Sequence, residues 1–375
     1  MKTSTLRVHS ALLLSGLILT GPLSARTFVY VSEANSGNVA RYELNDQTGA
    51  LNLLGKTSAG GKVMPMALSA DQRHLYAAVR SQPLRLISWN IDAHSGALTH
   101  QSEIPAAASY PYISTDIQNR FLLTASYDGG VAHVYRIDNK NKLTSPPAAA
   151  YPTGHAAHSV IADATGKSLY VGVLGTDRVL QLNLSPSGSL SPIGPGSVGT
   201  ESGNGPRHSV ISPDNHFLYN LGEMGGIITQ FRRHRDGALE KVAEWHCAVA
   251  KKYNLQQGRE RPAGYSDTTP RIWAADIKIT PDGKFLYVTE RTSSTVSGYR
   301  VNQVDGSLTF IDSWPVEKQP RGMNVTADGR WLVVSGERSH TIGSYAINKQ
   351  SGVLTLAGEA PVGSGANWVI AATYS

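Results

Sequence analysis

Cysteine is almost missing from this 375-residue chain, with Cys247 its sole representative. No intramolecular disulfide can form, and no cysteine lies near the N-terminus for lipid attachment, so a disulfide-stapled fold and a lipoprotein are both excluded. A lone cysteine of this kind reads as a small buried hydrophobe. Charge is also sparse, at 17% of residues. The net charge is +6, but Lys and Arg are scattered and no basic face is concentrated enough for a nucleic-acid partner. An affinity for small anions fits the same surplus. No long Ala/Leu/Glu/Lys run carries helical periodicity, and no apolar run is long enough to span a bilayer, so no stable membrane anchor is expected. There is no Gly-x-Ser-x-Gly elbow, no phosphate-binding Gly-rich loop and no His-Glu-x-x-His pair. His and carboxylates show no compact metal-ligand spacing, and neither metal nor cofactor is expected.

What is present begins with an export signal. Lys2 and Arg7 supply a positive start, residues 11–20 a short apolar core, and Leu23-Ser24-Ala25 a small-residue cleavage site. No twin-Arg pair occurs. Residues 1–25 are read as a signal peptide, leaving residues 26–375 as a periplasmic or secreted domain.

The rest of the chain is repetitive. With 37 Gly and 19 Pro it is turn-rich. Apolar strands recur at Phe28-Val-Tyr-Val31, Leu75-Tyr-Ala-Ala78, Leu122-Leu-Thr-Ala125, Leu169-Tyr-Val-Gly172, Leu218-Tyr-Asn-Leu221, Leu286-Tyr-Val-Thr289 and Leu332-Val-Val-Ser335. The period is about 46 to 49 residues with one longer gap, within the range of propeller blades. A Gly-x-Leu corner follows at Gly49, Gly96, Gly188, Gly237, Gly306 and Gly352, and Asn141-Lys-Leu143 replaces it in the third unit. Four short strands repeated seven times predict an all-β, seven-bladed β-propeller. The first strand, near Thr27, and the last, near Thr373, are expected to share one blade and close the ring. The longer gap, residues 251–269, is polar and reads as an inserted loop, either functional or a plain surface excursion.

Aligned repeats place two series of side chains at one mouth of the central channel. The first runs Pro111, His158, Arg207, Ala275 and Arg321, followed by Tyr112, Ser159, His208, Asp276 and Gly322. The second runs Arg80, Tyr127, Leu174, Glu223, Arg291 and Glu337. Positions that serve packing alone should be alike from repeat to repeat. These vary among Arg, His, Glu, Asp and Tyr, as a heterogeneous polar pocket requires. A ring of structural ion pairs, Arg207 with Glu223 and Arg321 with Glu337, is the competing reading. Trp273 and Trp368 read as core aromatics, and His74, His94, His133, His216 and His234 as inert surface residues.

Several segments resemble the propeller-type lactonases. They are Pro65-Met-Ala-Leu-Ser-Ala-Asp71, Gly205-Pro-Arg-His208, Arg271-Ile-Trp-Ala-Ala-Asp-Ile277, Gln319-Pro-Arg-Gly-Met-Asn324 and Gly336-Glu-Arg-Ser-His340. This family includes the cycloisomerase-like 6-phosphogluconolactonases and the carboxymuconate-lactonising enzymes. The resemblance implies hydrolysis of a sugar lactone, with His158, Arg207, Glu223 and Arg271 as catalytic residues; His155 competes with His158 for its place. His158 or Glu223 would be the general base and Arg207 and Arg271 the oxyanion or anion clamp. His208, Asp276, Arg291, Arg321 and Glu337 would contact the substrate, a small and anionic sugar lactone. Export points instead to an unphosphorylated aldonolactone, or to a non-catalytic propeller that binds a small anion or a protein partner.

Overall fold

The structure, a computed structural model, describes residues 25–262 and 264–374. Apart from Ala25, the expected signal peptide lies outside them. Twenty-eight strands, β1 to β28 in chain order, form seven four-stranded antiparallel sheets. The second strand of a blade is buried along its whole length: β13 (Ser168–Val173), β17 (Phe217–Gly222), β21 (Phe285–Glu290) and β25 (Trp331–Gly336) expose no residue. Neighbouring blades cover both faces of these strands, which is why they read as continuous apolar runs rather than as alternation. The outermost strands, such as β3 (Leu51–Ser58), are largely exposed.

Ring closure is as expected. β1 (Arg26–Glu33) pairs antiparallel with β28 (Ala366–Tyr374), so the first and last strands share one blade. The Asp282-Gly283 hairpin joins β20 (Ala274–Ile279) to β21. Gly283 takes φ +71, and the equivalent inner-hairpin turns place Gln72, Asn119, Gly166, Asn215 and Gly329 in the same left-handed region. Three residue types, Gly, Asn and Gln, thus serve one turn, and the shared backbone conformation is what unites them.

The Gly-x-Leu corner has a second role. Its carbonyl accepts a buried tyrosine hydroxyl from the preceding blade: Tyr30 to Gly96 at 2.8 Å, Tyr170 to Gly237 at 2.8 Å, Tyr219 to Gly306 at 2.6 Å and Tyr287 to Gly352 at 2.8 Å. Tyr76 reaches Asn141 at 3.1 Å, and Asn141 accepts the same positive φ, 58°, as the glycines it replaces. Ser344 bonds the Gly49 carbonyl where the seventh blade meets the first. Blade-to-blade packing is thus pinned by one directional bond at most junctions. Among the described residues no helix is long and apolar enough to cross a membrane.

Tyr219→Phe keeps the ring but removes the hydroxyl, leaving the Gly306 carbonyl without that donor. Urea unfolding should show a loss of about 1–2 kcal/mol. Gly306→Ala should cost more, since a Cβ there meets Gln230, Tyr219 and Phe217 at 2.6–2.7 Å at a φ of +71.

Candidate active site

Each inner strand runs along the central channel, and most carry one residue more than their partner needs. In β12 (Ala157–Ala162), Ala157 and Ser159 pair with the consecutive Val173 and Gly172, so His158 is the extra residue. Arg207 is extra in β16 (Pro206–Ile211), Arg321 in β24 (Pro320–Val325) and Asn367 in β28. A similar shift covers Ala275 and Asp276 in β20. A bulge breaks the in-and-out alternation and re-aims a side chain. Here it turns His158, Arg207 and Arg321 toward the mouth.

Glu223, just beyond β17, lies between two guanidiniums. Its Oε2 accepts Arg207 Nε at 2.7 Å and Arg291 Nη2 at 2.8 Å. Burial alone would raise the carboxyl, but Arg291 and Arg207 outweigh it and hold the group down at about 2. Arg207 is 1% exposed, and its Nη1 also donates to the Ala275 carbonyl at 2.6 Å. Burial, reinforced by Arg291, lowers its guanidinium to about 9. Nη2 makes no hydrogen bond among the described residues. Arg291 further bonds the carbonyls of Trp273 at 3.0 Å and Ala274 at 2.9 Å.

Two histidines adjoin this hub with ring centroids 5.2 Å apart. His208 Nε2 accepts Arg207 Nη1 at 3.0 Å, and its Nδ1 lies 2.9 Å from Asp276 Oδ1. Both of its nitrogens are therefore committed. His158 is different: its Nδ1 is buried and has no hydrogen-bond partner. Burial, then the nearby Arg207, push its imidazole well below the usual histidine value, so it is neutral. Next to these, Arg321 pairs with Glu337 at 2.8 Å, and Gln319 bonds the same carboxylate at 2.7 Å. Burial would raise Glu337, but Arg321 and Arg291 hold it at about 2. The ion pairs of the competing reading do form, yet Arg291 joins them across blades and His158 Nδ1 stands unpaired among them.

Arg271 sits apart from this buried cluster. Its Nε donates to Asp267 Oδ2 at 2.6 Å, which also accepts Arg259 at 3.0 Å. It lines an open cleft of about 500 Å³ with Arg261, Trp273, Arg291, Lys318 and Arg338. The cleft's wall is the inserted segment. Residues 246–273 join the fifth blade to the sixth, against four to six residues at the other six blade junctions. This strap is anchored at Gly258, whose N–H bonds the Met224 carbonyl at 2.8 Å, and by Glu260 to His155 Nε2 at 2.8 Å. His155, the competitor of His158 in the sequence, thus belongs to the strap's seat.

Three expectations are corrected. Trp273 is a stacking platform rather than a core aromatic: Arg261 and Arg291 each lie 3.9 Å from its ring centroid. His133 is buried on β10 (Val131–Arg136), the third strand of the third blade, with Nδ1 2.8 Å from the Tyr110 hydroxyl, because it shares a face with Tyr135, which packs against Tyr76 and Leu86 of the preceding blade. Cys247 is of intermediate exposure because it lies on the strap, not in a blade, and burial raises its thiol to about 12. Arg261, Lys318 and Arg338 lie outside the aligned repeat positions, and the polar run around Arg261 is the one sequence signal that points to them. No group of three metal-ligating side chains occurs among the described residues.

Fold and mouth together define a seven-bladed propeller with a charged, His-containing channel entrance. Residues 27–371 match the family described as lactonase, 7-bladed β-propeller, and the chain belongs to that family. The 6-phosphogluconolactonase of Serratia proteamaculans (strain 568) is 36% identical over 300 residues, 80% of this chain and 85% of its own length. That of Enterobacter sp. (strain 638) is 34% identical over 298 residues, 79% and 84% of the two chains. Among solved structures, a Bacteroides fragilis protein aligns with TM-score 0.81 at 21% identity, covering 94% and 99%. The periplasmic gluconolactonase of Pseudomonas aeruginosa aligns with TM-score 0.79 at 22% identity, also covering 94% and 99%.

Glu223→Gln should leave two buried guanidiniums without their shared carboxylate and cost about 3–5 kcal/mol in denaturant unfolding. The Glu223 pKa is depressed in the fold, from 4.5 to about 2, so its contribution is full above the unfolded value and lost as pH falls through that interval. The substituted protein should show a shallower loss of stability over the same acid range.

Proposed function

We propose that this lactonase hydrolyses a sugar lactone at the channel mouth, with His158 as general base. The observation that carries this is the His158 ring, neutral and with an uncommitted Nδ1, beside three guanidiniums. Water held by His158 attacks the lactone carbonyl carbon, and His158 takes its proton. The tetrahedral oxyanion forms beside Arg207, whose Nη2 edge is the one left for a substrate oxygen. The ring C–O bond then breaks, and the imidazolium returns the proton to the departing alkoxide. Glu223 is a poor base at about 2 and instead holds Arg207 and Arg291 in place. No covalent nucleophile is involved.

The lining of the cleft supports an anionic substrate. Arg261 Nε is buried without a partner, and its guanidinium shares one indole with Arg291. Glu223 compensates Arg291, whereas Arg261 has no carboxylate bonded to it among the described residues, so an anion bound beside Arg261 would offset the remaining repulsion. A polar, strongly cationic cleft of this size suits a small phosphorylated or carboxylated lactone better than a protein partner. An anion bound there also offsets the cations that depress His158 and so strengthens the base.

A second substrate candidate follows from the N-terminus. Lys2, Arg7 and the apolar residues 11–20 support export, and thus a periplasmic or secreted protein meeting unphosphorylated aldonolactones. The Pseudomonas aeruginosa neighbour, described as a periplasmic gluconolactonase, supports the same reading. N-terminal sequencing of the protein recovered from intact cells should begin at Arg26; an intact Met1 in the cytosol would refute export.

Acid release from 6-phosphoglucono- and gluconolactone tests the activity. His158→Gln should lower kcat by about 10²–10⁴-fold. The wild-type rate should stay flat as pH falls through the ordinary histidine value of 6.5, because His158 remains neutral below it. Arg261→Ala should raise KM for the phosphorylated lactone about 10-fold and leave that for gluconolactone nearly unchanged. Wild-type rates equal to spontaneous hydrolysis on both lactones would leave only a binding role.

A further inference from the structure

We propose that His208 and Asp276 are positioning residues rather than substrate contacts, and that they aim Arg207 by locking the His208 ring as its Nδ1–H tautomer. The kinetic part of this rests on the lactonase reading above; the tautomer itself does not.

A guanidinium can only donate, so the Arg207 Nη1–H that meets His208 Nε2 at 3.0 Å requires a lone pair there. In a neutral imidazole the proton must then sit on Nδ1, where Asp276 Oδ1 accepts it at 2.9 Å. Asp276 cannot turn away. Lys278 Nζ donates to the same oxygen at 3.0 Å, and the Met323 amide donates to Oδ2 at 3.0 Å. The Asp276 amide is held in turn by Thr289 Oγ1 at 2.8 Å. The carboxylate therefore ties together strands of the fifth, sixth and seventh blades.

The His208 ring is boxed as well as bonded. Tyr112 meets it edge-on with centroids 4.9 Å apart, and Trp368 and His158 follow at 5.8 and 5.2 Å. Its side chain is 3% exposed and that of Asp276 is 5%. Neither presents an atom that a substrate in the mouth would need. What they govern is the third corner of Arg207. Glu223 fixes Nε, His208 and the Ala275 carbonyl fix Nη1, and Nη2 is left pointing where no protein group binds it. A side chain held at two of its three nitrogens has one orientation. Inverting the His208 tautomer would set N–H against N–H and turn the guanidinium out of that orientation.

Purely structural packing predicts a different pattern from this device, so three variants separate them. His208→Gln can present an amide oxygen to Arg207 and an amide N–H to Asp276. His208→Leu keeps the volume but neither function. Asp276→Asn keeps the shape and offers Nδ1 a donor, which favours the inverted tautomer. Long-range ¹H–¹⁵N correlation spectra of the wild-type protein should show His208 as Nδ1–H, and those of Asp276→Asn a shift toward Nε2–H. With a lactone turned over by the wild type, His208→Gln should keep kcat within about 3-fold, while His208→Leu and Asp276→Asn lose about 10²-fold with little change in KM. An Nε2–H tautomer in the wild type, or His208→Gln as impaired as His208→Leu, would overturn the inference. Should His208→Leu fail to fold, Asp276→Asn and the tautomer decide it. A wild type without lactonase activity would sink the catalytic reading instead, and the tautomer in the two proteins would then decide this one alone.

Discussion

The arrangement of the mouth depends on one backbone irregularity. An antiparallel strand alternates its side chains strictly, so a regular inner strand would send every second residue into the channel and its neighbours between the blades. The extra residue at His158, Arg207 and Arg321 breaks that rule where each strand begins. Polar side chains are brought to the entrance while the strand below resumes its apolar packing. Each bulge leaves a ladder position unpaired, and the freed groups are used. The Ala275 carbonyl, released in the bulge of β20, accepts Arg207 from the neighbouring blade. The same local defect thus aims a residue and supplies the acceptor that holds the next one.

Bringing several guanidiniums to one end of a channel creates a like-charge problem in a poorly solvated place. The ring answers it with shared carboxylates rather than separate pairs. Glu223 serves Arg207 within its own blade and Arg291 from the next. Glu337 serves Arg321 and feels Arg291 as well. Cations still outnumber the anions at this mouth, and the surplus lies on the cleft side, at Arg261, Lys318 and Arg338. Buried ion pairs are weak contributors to stability when desolvation is counted. Their value here is that they connect blades and fix the directions of N–H groups.

Much of this is legible in the sequence. Strand number, blade period, the closing pair and the mouth all follow from runs such as Leu286-Tyr-Val-Thr289 and the Gly-x-Leu corners, because burial on both faces and left-handed turns leave strong local signals. The convergence of His158, Arg207, Glu223 and Arg291 followed from alignment alone. Other features did not. The bulges are differences of register between two strands, invisible in either strand by itself. Depth is not legible either: alignment reports which end of the channel His208 and Asp276 occupy, not that their side chains are only 3% and 5% exposed. The stacking role of Trp273 is not legible, since nothing local says that Arg261, twelve residues earlier, folds back onto its ring.

His158 and His208 show most clearly what sequence position leaves undecided. Both are buried beside Arg207, on adjacent inner strands, with rings 5.2 Å apart. Desolvation disfavours the charged form of each. What separates them is their second neighbour. Asp276 accepts a hydrogen bond from His208 Nδ1 and thereby commits its other nitrogen to Arg207. His158 has no such carboxylate, and its Nδ1 stays unpaired. A carboxylate beside His158 would orient that ring too, but it would also neutralise part of the field that attracts an anion. Under the proposed mechanism the labour divides: rigid strands hold one histidine to aim an arginine and leave the other for water, while the strap adds charge at the rim. On that proposal, substrate preference can change by altering the strap without disturbing the histidines and arginines of the channel mouth.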